Sequence, residues 1–271
     1  MTGVLAGALG LLVGLVTGTL GGGGGVLAVP ALVYALGQDA RAATTGSIVI
    51  VGVISAVGVL SRLRDRVINW RTGTQFGAIG LPTGWAGAVL NRTVPQPVLL
   101  LSFAALTLAI AVLMLVRSRS ASDAKASATA DTCETTVLKT APPRRAAAIR
   151  AAKVLGSGAA VGFLTGFLGV GGGFLVVPAL TVVLGMAMPA AIATSLLVLT
   201  YNAISSLTAR VGHLEVDWAV VGPFVAVAVL GALGGKLIAD RMSAASLHRA
   251  FAALLLLVGG FVGVQSLLAL L

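Results

Sequence analysis

Two glycine-rich runs are the parts of this 271-residue chain best suited to hold a ligand. The first reads Gly18-Thr19-Leu20-Gly21-Gly22-Gly23-Gly24-Gly25, followed by Pro30. The second reads Gly166-Phe167-Leu168-Gly169-Val170-Gly171-Gly172-Gly173, followed by Pro178. A glycine run leaves backbone N–H groups uncovered, and a helix starting just after it, at Val26 or Phe174, turns its positive dipole end back toward the run. Two such termini converging near a membrane midplane would cradle an anion without any charged side chain. The candidate ligands are Gly22, Gly23, Gly24 and Gly25, with Gly171, Gly172 and Gly173. The competing reading is close helix contact. It explains Gly10, Gly14 and Gly18, repeated as Gly158, Gly162 and Gly166, which form small-xxx-small faces. It explains five glycines in a row poorly.

Hydroxyl groups flank both runs. Ser47 and Ser195 open the next apolar segment, beside Thr44, Thr45 and Thr194. They would either donate to an anion's oxygens or cap a helix. Thr17 and Thr165, just before the glycines, are candidates of the same kind. Arg62 and Arg210 close the following segment of each half. Such residues either attract anions at the mouths of a pathway or anchor a helix end.

Other chemistry is excluded by what is missing. All eight acidic residues (Asp39, Asp65, Asp123, Asp131, Glu134, Glu215, Asp217, Asp240) fall in loops or at segment ends. Cation pumps and carboxylate relays need one inside the bilayer, so an anionic or neutral cargo is favoured. His213 and His248 have no metal-ligand spacing, and the glycine runs lack the Lys-Ser/Thr of a phosphate loop, so no metal, nucleotide or other cofactor is expected. Cys133 is the single cysteine and excludes a disulfide framework or a thiol relay.

The elements that must position these residues follow from composition. The chain is 58% hydrophobic and only 10% charged, with a mean hydropathy of +1.05. Soluble domains carry about a quarter charged residues, so this is an all-α polytopic membrane protein; apolar runs of this length rule out a β-barrel. The net charge of +10 sits in short loops and one linker, which is the positive-inside pattern and not a nucleic-acid footprint.

The chain is also duplicated. At an offset of 148 residues, Gly14–Ser47 aligns with Gly162–Ser195, and eighteen of the 34 positions are identical. The same offset pairs Arg62 with Arg210, Trp70 with Trp218, Gly87 with Gly235 and Phe103 with Phe251. The halves are residues 1–116 and 154–271. Between them Arg117–Lys153 is polar and reads as a mostly disordered linker, placed in the cytoplasm by its basic residues.

Three ordinary spans are expected in each half: Ala43–Ser61, Gly73–Leu90 and Val98–Val116, then Ala190–Ala209, Asp217–Ile238 and His248–Leu271. The leading segments differ. Leu5–Leu20 and Val26–Leu36, like Val154–Leu168 and Phe174–Leu184, are separately short for a bilayer, and glycines divide them. Each pair is therefore a broken helix or a re-entrant hairpin, whose bare peptide groups must line a cavity or pack inside protein. Interruptions at matching places in two halves point to a transporter's central site. Loop charge favours inverted over parallel halves: Arg62, Arg64, Arg66 and Arg71 mark one loop, whereas Lys236, Arg241 and Arg249 mark the next loop along in the second half.

The doubled Gly-x-Leu-Gly-x-Gly-Gly-Gly…Pro-Ala-Leu element, at Gly18–Leu32 and Gly166–Leu180, resembles the TauE/SafE sulfite exporter family, as does the layout of two related halves. The resemblance implies a bacterial inner-membrane secondary transporter for a small sulfur-containing anion such as sulfite or a sulfonate. It leaves open the individual anion, the direction, any coupling ion (H⁺ or Na⁺) and the oligomeric state. Two other classes stand beside it, an intramembrane enzyme and a non-transporting assembly subunit. The enzyme would need acids, bases or nucleophiles that the spans lack.

Overall fold

The computed structural model of the protein describes residues 2–32, 40–91, 102–114, 144–168, 173–208 and 218–268, with Gly37, Val94 and Leu99. The described elements are helices: α1 (Thr2–Leu20), α2 (Gly24–Pro30), α3 (Ala40–Arg62), α4 (Trp70–Asn91), α5 (Ser102–Met114), α6 (Arg144–Leu168), α7 (Gly173–Pro178), α8 (Met188–Thr208), α9 (Trp218–Arg241) and α10 (Ala244–Leu268). Four stretches are long and apolar enough to cross a membrane, at Thr45–Arg62, Met188–Thr208, Val221–Arg241 and Ala244–Val264. This is an all-α membrane protein.

Several boundaries differ from the sequence reading, each for a local reason. Helix α4 begins at Trp70 because the Asn69 side chain accepts from the Thr72 N–H at 3.1 Å. Helix α10 begins at Ala244, four residues before His248, because the Ser243 hydroxyl accepts from the Ser246 N–H at 3.2 Å. These are N-caps that satisfy donors the first turn leaves free. Helix α6 begins at Arg144, inside the stretch assigned to the linker, where Arg-Arg-Ala-Ala-Ala-Ile-Arg-Ala-Ala-Lys offers strong helix formers. The rest of that linker, 117–143, lies outside the described residues.

The close contacts of the glycines give six of the helices a direction relative to one another. A side chain at Gly10, Gly14 or Gly18 would overlap the carbonyls of Phe224, Ala228 or Ala232 respectively, so α1 and α9 advance together and are parallel. The same four-residue step carries Gly158, Gly162 and Gly166 of α6 past Phe76, Gly80 and Gly84 of α4. These are small-residue faces that bring backbones into direct contact. Gly46 of α3 meets Val221, and Lys236 reaches Ser61, which makes α3 parallel to α9. Gly52 meets Ala203 while Gly58 meets Leu196, so α8 runs against α3. Gly73 meets Leu197 and Gly77 meets Tyr201, so α4 runs with α8. Helices α1, α3 and α9 thus point one way, and α4, α6 and α8 the other.

Element ends fall at the sequence offset: Leu20 and Leu168 end α1 and α6, Ala40 and Met188 begin α3 and α8, and Trp70 and Trp218 begin α4 and α9. The packing is exchanged between halves, since the first helix of each lies along the fourth helix of the other. Fully buried Phe76, Phe174, Phe224 and Phe251 fill the interior, and Phe103 meets Phe174 edge-on at 5.3 Å between ring centres.

Candidate functional site

Helix α1 stops where its backbone turns left-handed. Gly21 has φ +75°, a conformation that costs glycine nothing, and its N–H still closes the last turn on the Thr17 carbonyl at 2.8 Å. The chain then folds back. A Cβ on Gly24 would collide with the Thr17 hydroxyl and lie 2.7 Å from the Val13 carbonyl oxygen, so α2 begins alongside the turns of α1 that preceded the break. In the second half α6 ends at Leu168 and α7 begins at Gly173. Both short helices pass into wider π-type turns just after their prolines, at Ala31–Leu32 and Ala179–Val183, and both reach a left-handed glycine, Gly37 at +63° and Gly185 at +66°.

The two interruptions meet. A Cβ on Gly22 would sit 2.7 Å from the Gly173 Cα, and one on Gly173 would sit 2.9 Å from the Gly22 Cα. The backbones therefore cross at a point where only glycine fits on either strand. Gly23 abuts Leu254 at 2.7 Å, whereas Gly25 has ordinary contact with Val51 at 3.6 Å. Gly171 and Gly172 lie outside the described residues.

Ser195 stands at this crossing, its hydroxyl oxygen 2.6 Å from where a Gly21 side chain would begin. It is fully buried and donates to the Ile192 carbonyl at 2.8 Å. Since α8 starts at Met188, Ser195 lies two turns inside the helix and is not a cap. Ser47 occupies the same place in α3, which starts at Ala40, and is buried as well. Thr17 donates to the Val13 carbonyl at 2.7 Å, and Thr194 accepts from the Asn69 N–H at 3.2 Å. The protons of Thr17 and Ser195 are thus spent on their own helices in this conformation. Each hydroxyl would have to rotate to face an anion. Thr165 lies half-buried in α6, short of the second interruption.

Arg62 is the last residue of α3. It is only 4% exposed, and its Nη2 donates to the Gly18 carbonyl at 2.6 Å, linking the end of α3 to the last turn of α1. No feature of the sequence indicated this, because the partner is a backbone oxygen 44 residues away. Arg210 lies outside the described residues. Close by, Lys236 of α9 pairs with Asp65 at 2.8 Å and donates to the Ser61 carbonyl at 2.6 Å, tying α9 to the end of α3.

Residues 6–262 match the family model described as "Sulfite exporter TauE/SafE". The chain belongs to the TauE/SafE sulfite exporter family. Two relatives from Xylella fastidiosa, each called a probable membrane transporter protein, extend the likeness. That of strain 9a5c is 33% identical and that of strain Temecula1 31%, each over 93% of this chain and 91% of its own length. No solved structure matches. This TauE/SafE member is accordingly a multi-pass membrane transporter, built on exchanged helix pairs around a glycine crossing.

Proposed function

We propose that the protein is a secondary transporter of a small anion, a sulfur oxyanion or organosulfonate, working by alternating access between two inverted repeats. The observation that carries this reading is the crossing of Gly22 and Gly173 among helices of opposite direction. Interrupted helices meeting where inverted repeats join are the usual seat of a transporter's substrate. Backbone N–H groups of Gly22–Gly25 and of the second run, with the hydroxyls of Ser47, Ser195, Thr17 and Thr165, supply donors suited to an oxyanion. The family supports the substrate class, and the lack of acidic residues among the four spanning stretches, apart from Asp240 at one end, suits an anion.

Orientation follows from charge. Arg64, Arg66, Arg71, Arg241, Arg249 and the basic first turns of α6 all gather at the end where α3 and α9 finish. By the positive-inside rule that end, with the linker, faces the cytoplasm of a bacterial inner membrane. Transport would move the parallel group α1, α3, α9 against the group α4, α6, α8, so each moving body draws on both repeats.

Purified protein in proteoliposomes, tested for uptake and efflux of sulfite, sulfate, methanesulfonate, chloride and nitrate, examines this directly. Sulfur oxyanions or sulfonates should be carried and should compete with one another. Ser195→Ala should raise the KM of the carried anion about 5- to 10-fold with little change in thermal stability, since it removes one donor. Transport of a cation alone, or of none of these solutes, would sink the reading.

A further inference from the structure

Helix α3 carries the two buried side-chain polar atoms that lack a hydrogen-bond partner among the described residues, Ser55 Oγ and Arg62 Nη1. Buried donors are nearly always satisfied, by protein or by something bound. Seven residues, two helical turns, separate the pair, so both lie on one face of α3. Val51, one turn before Ser55 on that face, touches Gly25 just beyond the crossing. The unsatisfied face thus looks toward the interrupted segment.

At its far end the face borders a cavity of about 170 Å³, bounded by Arg62, Asp65, Ile192, Ala239, Asp240 and Leu247. That volume holds several waters or one small oxyanion. Ile192 forms its inner wall and also touches Gly21, with its Cγ2 3.3 Å from the position of a Gly21 Cβ. Arg62 and Ile192 thus line this cavity and also reach the end of α1, at Gly18 and Gly21. Of the acidic groups at the cavity, Asp65 is neutralised by Lys236, and no ion pair to Arg62 is found among the described residues.

We infer that Arg62 is the cationic ligand of the transported anion on the α3 end of the pathway, receiving it from this cavity before it reaches the glycine crossing. The inference rests on the anion-transporter reading and adds to it a side-chain charge that the backbone cradle does not need. A guanidinium offers paired N–H donors that match two oxygens of an oxyanion. Here one nitrogen is held by the Gly18 carbonyl while the other is unmatched, so the anion completes a half-used fork. Release of Gly18 would let both nitrogens engage, coupling anion arrival to freeing the end of α1. Asp240, on the same cavity, keeps the empty site electrically balanced and weakens anion binding.

The test is uptake of sulfite and methanesulfonate into proteoliposomes by wild type, Arg62→Gln, Arg62→Lys and Asp240→Asn, with melting temperatures measured in parallel. Arg62→Gln should raise KM about 10- to 100-fold, the factor expected for one charge-assisted hydrogen bond. Arg62→Lys retains a charged donor for the Gly18 carbonyl, so it should fold even if the glutamine variant does not, and its KM should still rise about 10-fold. Asp240→Asn should lower KM. Unchanged KM in Arg62→Lys, with only maximal rate or melting temperature reduced, would overturn the inference and leave Arg62 as a structural latch. So would a rise of KM in Asp240→Asn matching that of Arg62→Gln, which would mean that the two residues close the pathway by pairing. Both results leave the transporter reading intact, whereas a wild type that carries no anion removes both.

Discussion

Gly234 and Gly235 are adjacent on α9 yet face different surroundings. Nothing lies within 4 Å of a Cβ on Gly234, whereas one on Gly235 would lie 2.5 Å from the Leu15 carbonyl oxygen and 2.9 Å from the Thr19 nitrogen. Gly234→Ala should therefore hold stability or raise it by about 0.5–1 kcal/mol through lost backbone freedom. Gly235→Ala should lower it by about 1–3 kcal/mol, because helix backbones must part to admit the methyl. Thermal unfolding in detergent distinguishes the two, and equal responses would deny the direct backbone contact of α1 with α9. The distinction is invisible in sequence, where the two residues differ only in register. Arg62 teaches the same lesson. Its type and repeat position marked it as a functional candidate, but burial depended on a carbonyl with no side-chain signature.

Helix ends hold the state seen here. Lys236 joins α9 to α3 through both Asp65 and the Ser61 carbonyl, and at 16% exposure it is much more enclosed than Asp65 at 40%. Lys236→Ala should cost about 1–3 kcal/mol through the lost charged hydrogen bonds. Asp65→Asn should cost less than about 1 kcal/mol, as exposed ion pairs do. If the pair closes the end where α3 and α9 finish, Lys236→Ala should also speed labelling of a cysteine placed at Ala239; unchanged labelling would show the pair to be surface decoration. The positions matching Lys236 and Asp65 in the first and second halves are Ala88 and His213, so the duplication does not repeat this ion pair. At the scale of elements much was legible: helix type, lengths and the matching offsets follow from hydropathy and duplication. The starts of α4 and α10 were missed because Asn69 and Ser243 extend each helix beyond its apolar stretch, where hydropathy falls silent.

Two of the three tryptophans begin helices at opposite ends of the bundle. Trp70, which begins α4, stands at the end rich in arginine, while Trp218, which begins α9 in the opposite direction, stands at the other; both are exposed, as interfacial aromatics are. Cysteines introduced at Gln96 and His213, both outside the described residues, should both be labelled by an impermeant reagent from outside the cell. Labelling of His213 only from within would return the halves to a parallel arrangement. Loop charges could hint at inversion but not at exchange, since which helix lies against which depends on glycine registers far apart in the sequence. Residues 1–143 and 144–271 made separately should each be degraded, and made together should copurify as a folded pair; a stable lone half would contradict the exchanged packing. That exchange also sets a timetable. Helix α1 leaves the ribosome roughly 200 residues before α9, which at about 5–20 residues per second is a delay of about 10–40 s. Throughout it, the glycine face at Gly10, Gly14 and Gly18 has lipid or an insertion factor as its only company, so the nascent chain is most open to mispairing and quality control long before its last helix is synthesised.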